Sequence, residues 1–200
     1  MIAHDSPNIN SEGVFLDKNG GASLQTFSGR RVSVLSPEAK DLYIGDIAYS
    51  LAKQCRFNGH CSEFYSVAEH CVRGSELAEE MYGKEIAREF LLHDATEAYL
   101  GDLIRPVKKM IPQFEEIEQI FWMVLSAKFN VPYIHSKEVH YLDNVMVCWE
   151  KRDLLPNSEV WPNLPDITEL RLPKLITWDW EMAWHMFNNR FLELFPEYEV

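Results

Sequence analysis

The stretch that decides the fold is EFLLHDATEAYLGD, residues 89–102. Its first half contains an apolar helical run, Phe90-Leu91-Leu92, and two adjacent polar residues, His93 and Asp94, follow directly. Glu97 comes four residues after His93 and three after Asp94, so all three share one face of a continuous helix. Three groups that bind metals or transfer protons then point the same way. We therefore expect half of a metal site here, with the other half supplied by other helices.

Apolar residues recur at helical spacing on both sides of this stretch, which predicts an all-α domain. The predicted helices lie within 37–54 after Ser36-Pro37, from about 66, from about 84 to near 101, from Pro112, from a Ser136 cap and from a Thr177 cap. Alternation from Leu24 to Leu35 predicts a small β-hairpin, and residues 103–110 are predicted to be a connection broken by Pro106. We expect residues 1–22 to be a loosely ordered segment and residues 23–200 to be a single domain, in which 156–176 is an irregular excursion.

Composition limits the partners. The chain has 200 residues, of which 46% are hydrophobic and 25% charged, as in a soluble globular protein. A formal net charge of -12 argues against a nucleic-acid polymer, because a phosphate track needs clustered Lys and Arg. A free nucleotide remains allowed, since a divalent cation and one or two basic residues suffice. The four cysteines lack C-x-x-C spacing and are expected to be reduced. Without a secretory signal or a bilayer-length apolar run, a cytoplasmic protein is expected, with no membrane partner.

Two histidines and two aspartates form the candidate metal site. His70 lies near the start of the second predicted helix, His93 and Asp94 on the third, and Asp143 on the fifth. Side chains from three helices can converge inside a bundle and leave positions open for water and substrate. Mixed imidazole and carboxylate ligands suit manganese, iron, cobalt, nickel or zinc. A His-Asp dipeptide alone is a weak motif, and a lone helical aspartate is often solvated. The prediction depends on order and spacing together.

The same residues carry a resemblance to a known family. The order His70, then His93-Asp94, then Asp143 resembles the HD-domain metal-dependent phosphohydrolase superfamily. The runs 66–70 and 93–103, followed by 106–108, are similar to the branch of the bacterial 5′-deoxyribonucleotidases and the phage dATP triphosphohydrolases. The resemblance covers about residues 40–155. It implies an HD-domain helical bundle in which one divalent cation is held by His70, His93, Asp94 and Asp143.

The resemblance also assigns roles to five residues around the metal. It implies a catalytic Glu97, which fits a helix position within reach of a metal-bound water; an ordinary surface glutamate is the plain alternative. Asp102 is implied as a second catalytic residue, with its role left open. Arg56 and Lys108 are implied phosphate contacts, and Phe57 is an implied contact to the sugar or base.

These residues predict a metal-dependent phosphohydrolase that acts on deoxynucleotides, either as a 5′-nucleotidase or as a dNTP triphosphohydrolase, by attack of a metal-activated water on phosphorus. Two alternatives stay open. One is an HD hydrolase of another phosphoester, such as a guanosine alarmone, and the other is a non-catalytic, metal-stabilised nucleotide-binding protein. The presence of both Glu97 and Asp102 counts against the second alternative. The aromatic fourth and last helices are a candidate homodimer interface.

Overall fold

Eight α-helices and one β-hairpin form the part of the chain that the computed structural model describes, residues 9–155 and 159–198. The strands are β1 (Ser23–Gln25) and β2 (Arg31–Ser33). The helices are α1 (Ile44–Lys53), α2 (Val67–Tyr82), α3 (Lys84–Leu92), α4 (Glu97–Leu100), α5 (Arg105–Lys108), α6 (Pro112–Phe129), α7 (Lys137–Leu154) and α8 (Trp180–Leu194). The predicted all-α fold with a small hairpin is confirmed.

Helix α2 is the centre of the fold and contacts α1, α3, α7 and α8. Its approach to α3 depends on Gly74, because an added Cβ there would lie 2.0 Å from Cε1 of Phe90. Phe90 in turn packs against the ring of His93, with 4.4 Å between the ring centroids. The close contact between α2 and α3 therefore brings His70, which α2 carries, next to the chain that carries His93.

Three of the predicted helices begin where they were expected, near Ser66, at Pro112 and after Ser136. The hydroxyl of Ser66 accepts a hydrogen bond from the N–H of Glu69 at 3.0 Å, and that of Ser136 accepts one from Val139 at 3.2 Å. Each bond satisfies an N–H group that has no partner within its helix. Pro112 occupies the first turn of α6, where its missing N–H costs nothing. These three predictions are confirmed.

The predicted start of the first helix at Pro37 is wrong, since α1 begins at Ile44. The N–H of Asp41 bonds to the carbonyl of Glu38 in a turn at 2.9 Å. The next carbonyl, that of Ala39, accepts a hydrogen bond from Nζ of Lys128 on α6 at 2.7 Å. The segment is therefore held as a connection by tertiary contacts instead of continuing the helix.

The predicted cap of the last helix is also wrong. Helix α8 begins at Trp180, and its N-cap is Asp179, whose carboxylate accepts a bond from the N–H of Met182 at 2.8 Å. The N–H of Trp178 instead donates to Oε2 of Glu69 on α2 at 2.9 Å. That bond holds the chain outside the helix at the point where Thr177 was expected to start it.

The predicted third helix is interrupted, because α3 ends at Leu92 and α4 begins at Glu97. Between them the N–H of Ala95 bonds to the carbonyl of Leu92 at 2.9 Å, and the N–H of Glu97 bonds to that of Asp94 at 3.0 Å. These bonds span three residues, as in a 3₁₀ turn, where side chains three positions apart are aligned. Glu97 is therefore in line with Asp94 along this turn. The expectation of one continuous helix through all three residues is wrong.

The hairpin is antiparallel, with Ser23 opposite Ser33, and this prediction is confirmed. Its turn docks on α1 through the buried carboxylate of Asp46. That carboxylate accepts hydrogen bonds from the hydroxyl of Thr26 at 2.8 Å and from the N–H and hydroxyl of Ser28 at 2.7 Å each. The hairpin is thereby fixed to the helix that also supports the candidate site.

Residues 1–8 of the predicted N-terminal segment lie outside the described residues. Residues 9–22 form turns closed by isolated bridges that join Ile9 to Phe15 and Leu16 to Ala22. The predicted connection after Leu103 contains the short helix α5, with Pro106 in its first turn. In the described part of the irregular excursion, a 3₁₀ turn spans Thr168–Leu170. Across 9–155 and 159–198, no helix combines the length and apolarity required to cross a bilayer.

Candidate metal centre

His70 and His93 point their Nε2 atoms at each other where α2 meets the turn after α3, and these atoms are 3.4 Å apart. His70 is fully buried, and its Nδ1 lies 2.5 Å from Oε1 of Glu150 on α7. Nδ1 of His93 lies 2.7 Å from the carbonyl oxygen of Phe90. Because an ionised carboxylate and a carbonyl oxygen only accept hydrogen bonds, the Nδ1 atom of each ring carries the hydrogen.

The Nε2 lone pairs of the two rings consequently face each other. A neutral imidazole with its hydrogen on Nδ1 has a bare lone pair on Nε2. Burial lowers the pKa of His93, which favours this neutral form. Two lone pairs at 3.4 Å repel unless a positive charge lies between them. Metal-binding histidines characteristically donate their other N–H to a carboxylate or a backbone carbonyl, as both rings do here. The two Nε2 atoms are therefore placed where they could hold a cation.

Two aspartate carboxylates complete the cluster. Oδ1 of Asp143 lies 3.5 Å from Nε2 of His70. Asp94 oxygens lie 3.7 Å from Nε2 of His70 and 3.2 Å from Nε2 of His93. Donor atoms about 2.1 Å from one shared cation lie roughly 3.0–3.4 Å apart, so the observed spacings approach those of a coordination shell. The structure brings together all four residues predicted as metal ligands.

Cys71 offers a different donor set, because its sulfur lies within 4.8 Å of donor atoms of His93 and Asp94. Burial raises the pKa of the Cys71 thiol well above its ordinary value, and the neighbouring Asp94 acts in the same direction. The thiolate is the form that binds metals, so this buried thiol is a poor ligand. A second group consists of His70, His93 and Asp143, each of which offers one donor atom within 4.8 Å of the others. This group fits a cation better than the group that contains Cys71.

Asp143 uses its two carboxylate oxygens on opposite sides. Oδ1 faces His70, whereas Oδ2 lies 2.5 Å from Nη2 of Arg105 on α5. The same guanidinium contacts Oδ1 of Asn144 at 3.4 Å. The Arg105 side chain is 63% exposed, so this guanidinium lies at the outer edge of the cluster.

Of the predicted catalytic residues, Glu97 begins α4 and Asp102 lies two residues beyond its end, and Gln54 binds the main chain of both. Nε2 of Gln54 donates to the carbonyl of Glu97 at 2.9 Å, and its Oε1 accepts from the N–H of Asp102 at 3.0 Å. Oε2 of Glu97 is buried without a hydrogen-bond partner among the described residues. Burial, together with the charges of Asp94 and Asp102, raises the pKa of Glu97 well above its ordinary value. Burial also raises the pKa of Asp102. Glu97 is therefore suited to hold a proton near the cluster.

Arg56, predicted to contact phosphate, is bound to two carboxylates. Its Nε lies 3.2 Å from Oε2 of Glu150, and its Nη1 lies 3.5 Å from Oδ2 of Asp94. Only 11% of the Arg56 side chain is exposed. Glu150 thus binds Arg56 through one oxygen and His70 through the other. In this structure Arg56 connects two carboxylates of the site, a position that the sequence did not indicate.

Phe57 and Lys108, the other predicted substrate contacts, have partners outside the cluster. Phe57 has φ 55° and ψ 26°, a left-handed conformation that is rare for a bulky residue. Its ring centroid lies 6.5 Å from that of Trp161. Nζ of Lys108 lies 2.6 Å from Oε1 of Glu118 on α6. The structure therefore does not bring these two side chains into direct contact with the four metal-ligand candidates.

The sequence interpretation missed Glu150, Arg105 and Gln54. A signal for Glu150 was available, because it follows Asp143 by seven residues, about two helical turns, and therefore lies on the same face of α7. A charged residue on a core-facing position needs a partner, which is what His70 and Arg56 provide. Gln54 and Arg105 lie at the ends of their helices, where apolar periodicity indicates no partner.

Comparison with known proteins gives relatives whose function is not assigned. No family model matches the chain. It is 38% identical over 172 residues to YfdR, an uncharacterized protein of Escherichia coli, and the match covers 86% of this chain and 94% of YfdR. It is also 38% identical over 113 residues to an uncharacterized protein of Rhodobacter capsulatus, covering 54% of this chain and 58% of that protein. The extent of the first match shows that the chain belongs to the protein family that includes YfdR.

Proposed function

We propose that this protein is a metal-dependent phosphohydrolase that acts on deoxynucleotides. The observation that carries the proposal is the convergence of the His70 and His93 Nε2 lone pairs at 3.4 Å, with carboxylates of Asp94 and Asp143 beside them. The resemblance to the HD-domain phosphohydrolases supplies the reaction class and the nucleotide substrate. The two kinds of enzyme in the branch that it resembles release either phosphate from a monophosphate or tripolyphosphate from a triphosphate.

The donor set fits a divalent cation. Two imidazole nitrogens and two carboxylates suit manganese, iron, cobalt, nickel or zinc. Such a cation, when bound, supplies an activated water and offsets negative charge on the phosphoryl group. Glu150 and the carbonyl of Phe90 fix the tautomers of the two histidines, so that both Nε2 atoms are ready to bind metal without rearrangement.

Glu97 is the proposed proton-transfer residue. Its buried Oε2 has no other hydrogen-bond partner among the described residues, so it is free to bond to an attacking water or a leaving oxygen. Gln54 binds the Glu97 carbonyl and the Asp102 N–H with one side chain, which fixes the two carboxyl-bearing residues relative to each other. Arg56 contacts Asp94 at 3.5 Å and restrains that carboxylate.

Metal-loaded protein tests the proposal. Purified protein is supplied with manganese or cobalt and incubated with deoxynucleoside monophosphates and triphosphates, a guanosine alarmone and a cyclic dinucleotide. We expect release of phosphate or tripolyphosphate from at least one deoxynucleotide. Hydrolysis of the alarmone alone would favour the first alternative, an HD hydrolase of another phosphoester. Confirmed metal binding with no turnover of any compound would reject the hydrolase.

The variant Glu97→Gln separates catalysis from binding. It should keep the metal and lose turnover by about a hundredfold or more, as expected for loss of a general acid or base. The matched control is Glu116→Gln, which changes an exposed glutamate on α6 and should leave turnover unchanged. Equal turnover of the two variants would remove Glu97 from the mechanism.

A further inference from the structure

Three basic side chains lie near the proposed metal centre, and they differ in how firmly they are bound. Arg56 is 11% exposed and bound to two carboxylates, Glu150 and Asp94. Lys108 is paired with Glu118 on a different helix from the cluster. Arg105 is 63% exposed, and it contacts Asp143 at 2.5 Å and Asn144 at 3.4 Å. Arg105 is thus the least buried of the three basic groups.

We propose that Arg105 is the phosphate-binding arm of the site, held by Asp143 in the structure and transferred to a phosphate oxygen once a metal and a phosphate are bound. This inference rests on the proposed function. It departs from the sequence prediction, which assigned phosphate contacts to Arg56 and Lys108.

Asp143 can release Arg105 because its two carboxylate oxygens face different partners. Its Oδ1 faces the cation position beside His70, and its Oδ2 faces Arg105, so the guanidinium lies one carboxylate away from the cation. A divalent cation on Oδ1 offsets the charge that attracts Arg105 and repels the guanidinium directly. The exposed pair is easily separated, because exposed ion pairs contribute little net stability.

The released guanidinium suits a phosphate bound at the metal. Arginine presents five N–H donors in a planar fork that matches two phosphate oxygens, whereas lysine offers a single point of charge. In the structure two of these donors are used, on Asp143 and Asn144. Helix α5 has only four residues, and its Ile104 neighbour and Val107 are each 37% exposed, so few contacts oppose a shift of this segment.

Titration calorimetry of full-length protein with manganese, and then of manganese-loaded protein with inorganic phosphate, tests this inference. Arg105→Ala should bind manganese as tightly as wild type, or up to about fivefold more tightly, because Asp143 no longer has a competing partner. Its affinity for phosphate should fall at least about tenfold, the usual effect of losing a hydrogen bond to a charged group. Arg105→Lys should recover part of the phosphate affinity. Lys109→Ala, an exposed cation next to the same short helix, is the matched control and should change neither affinity.

The outcomes are distinct. If Arg105→Ala weakens manganese binding and leaves phosphate affinity unchanged, Arg105 positions Asp143 and the inference is wrong. If the alanine variants of Arg105 and Lys109 lose phosphate affinity equally, the loss reflects the overall positive charge of this surface. That result would also overturn the inference. If wild type binds manganese but not phosphate, the arm has no ligand and the inference fails, whereas a hydrolase active on deoxynucleotides would still stand. If wild type binds no manganese, the proposed function fails, and this inference fails with it.

Discussion

Glu150→Gln is the most informative single change in this protein. Glu150 is fully buried and uses its two oxygens separately, Oε1 for Nδ1 of His70 at 2.5 Å and Oε2 for Nε of Arg56 at 3.2 Å. A glutamine of the same shape has one acceptor oxygen and one N–H₂ group. Whichever way the amide is oriented, one of the two donors, His70 or Arg56, faces another donor. The substitution therefore breaks one of the two contacts while leaving the packing volume almost unchanged.

The magnitude follows from burial. Removing one partner of a buried ion pair costs about 3–5 kcal/mol, and Arg56 retains Asp94 at 3.5 Å, so we expect about 3 kcal/mol. For a chain of this size that loss lowers Tm by roughly 6–12 °C. Loss of the hydrogen bond that orients a metal-binding histidine typically weakens metal affinity about 10–100-fold. Circular dichroism melting without metal and calorimetric titration with manganese measure the two effects separately.

The matched control for this experiment is Glu138→Gln. Glu138 lies in the first turn of the same helix, α7, and its nearest cation is Nζ of Lys137 at 3.8 Å. We expect this control to stay within about 0.5 kcal/mol of wild type, as is usual for surface substitutions. If Glu150→Gln has the same Tm as the control and binds manganese as tightly as wild type, Glu150 does not anchor His70. A metal centre that depends on this anchored imidazole would then be refuted.

Four further substitutions test the ligands, the helix packing and a buried acid. His93→Ala and Asp143→Ala should each lose tight manganese binding in calorimetry; normal binding by the Asp143 variant would remove it from the ligand set. Gly74→Ala places a methyl group 2.0 Å from Phe90 and should destabilise the fold by about 1–3 kcal/mol, measured by urea unfolding. A wild-type unfolding midpoint would show that α2 and α3 do not need this close approach. Burial raises the pKa of Glu69 to about 7 from an ordinary value near 4.5. Its contribution to stability is therefore full below about pH 4.5 and is lost as the pH rises through about 7, because the unfolded chain releases the proton first. Metal-free Glu69→Gln should show a flatter dependence of Tm on pH across this window, and an unchanged slope would contradict the assignment.

The grouping of the four candidate ligands was predictable from their order and spacing on predicted helices, together with the family resemblance that they carry. In the sequence, His70, His93, Asp94 and Asp143 each fall on a segment predicted to be helical, although the structure places His93 and Asp94 in the turn between α3 and α4. Local chemistry was equally informative at Ser66 and Ser136, where a hydroxyl three residues before an N–H caps the helix.

Features that depend on distant partners were not predictable. The false helix start at Pro37 satisfies the same local rules as the true ones, but the carbonyl of Ala39 is bound by Lys128, 89 residues away in the chain. The position of Trp180 at the start of α8 follows from a bond between Trp178 and Glu69, 109 residues apart. Local pattern does not contain such contacts, and they decide which of several possible starts is used.

The interruption of the third predicted helix belongs to the same class. No glycine or proline lies between Phe90 and Ala98, so the sequence favours a continuous helix. The chain tightens where the side chains of His93 and Asp94 face groups on α2 and α7, and tertiary contacts override helix propensity. Glu150 was missed for a related reason, since a buried charge is explained only by partners on other helices.

The interruption at His93 also has an electrostatic effect. A helix carries a partial negative charge at its C-terminal end, where the last carbonyls have no helical partner. Because α3 stops at Leu92, this negative pole lies directly before the His93-Asp94 pair. A helix continuing to Leu100 would have moved the pole about two turns beyond the cluster. The broken backbone therefore places a region of negative potential beside the cluster, independently of any ionisable side chain.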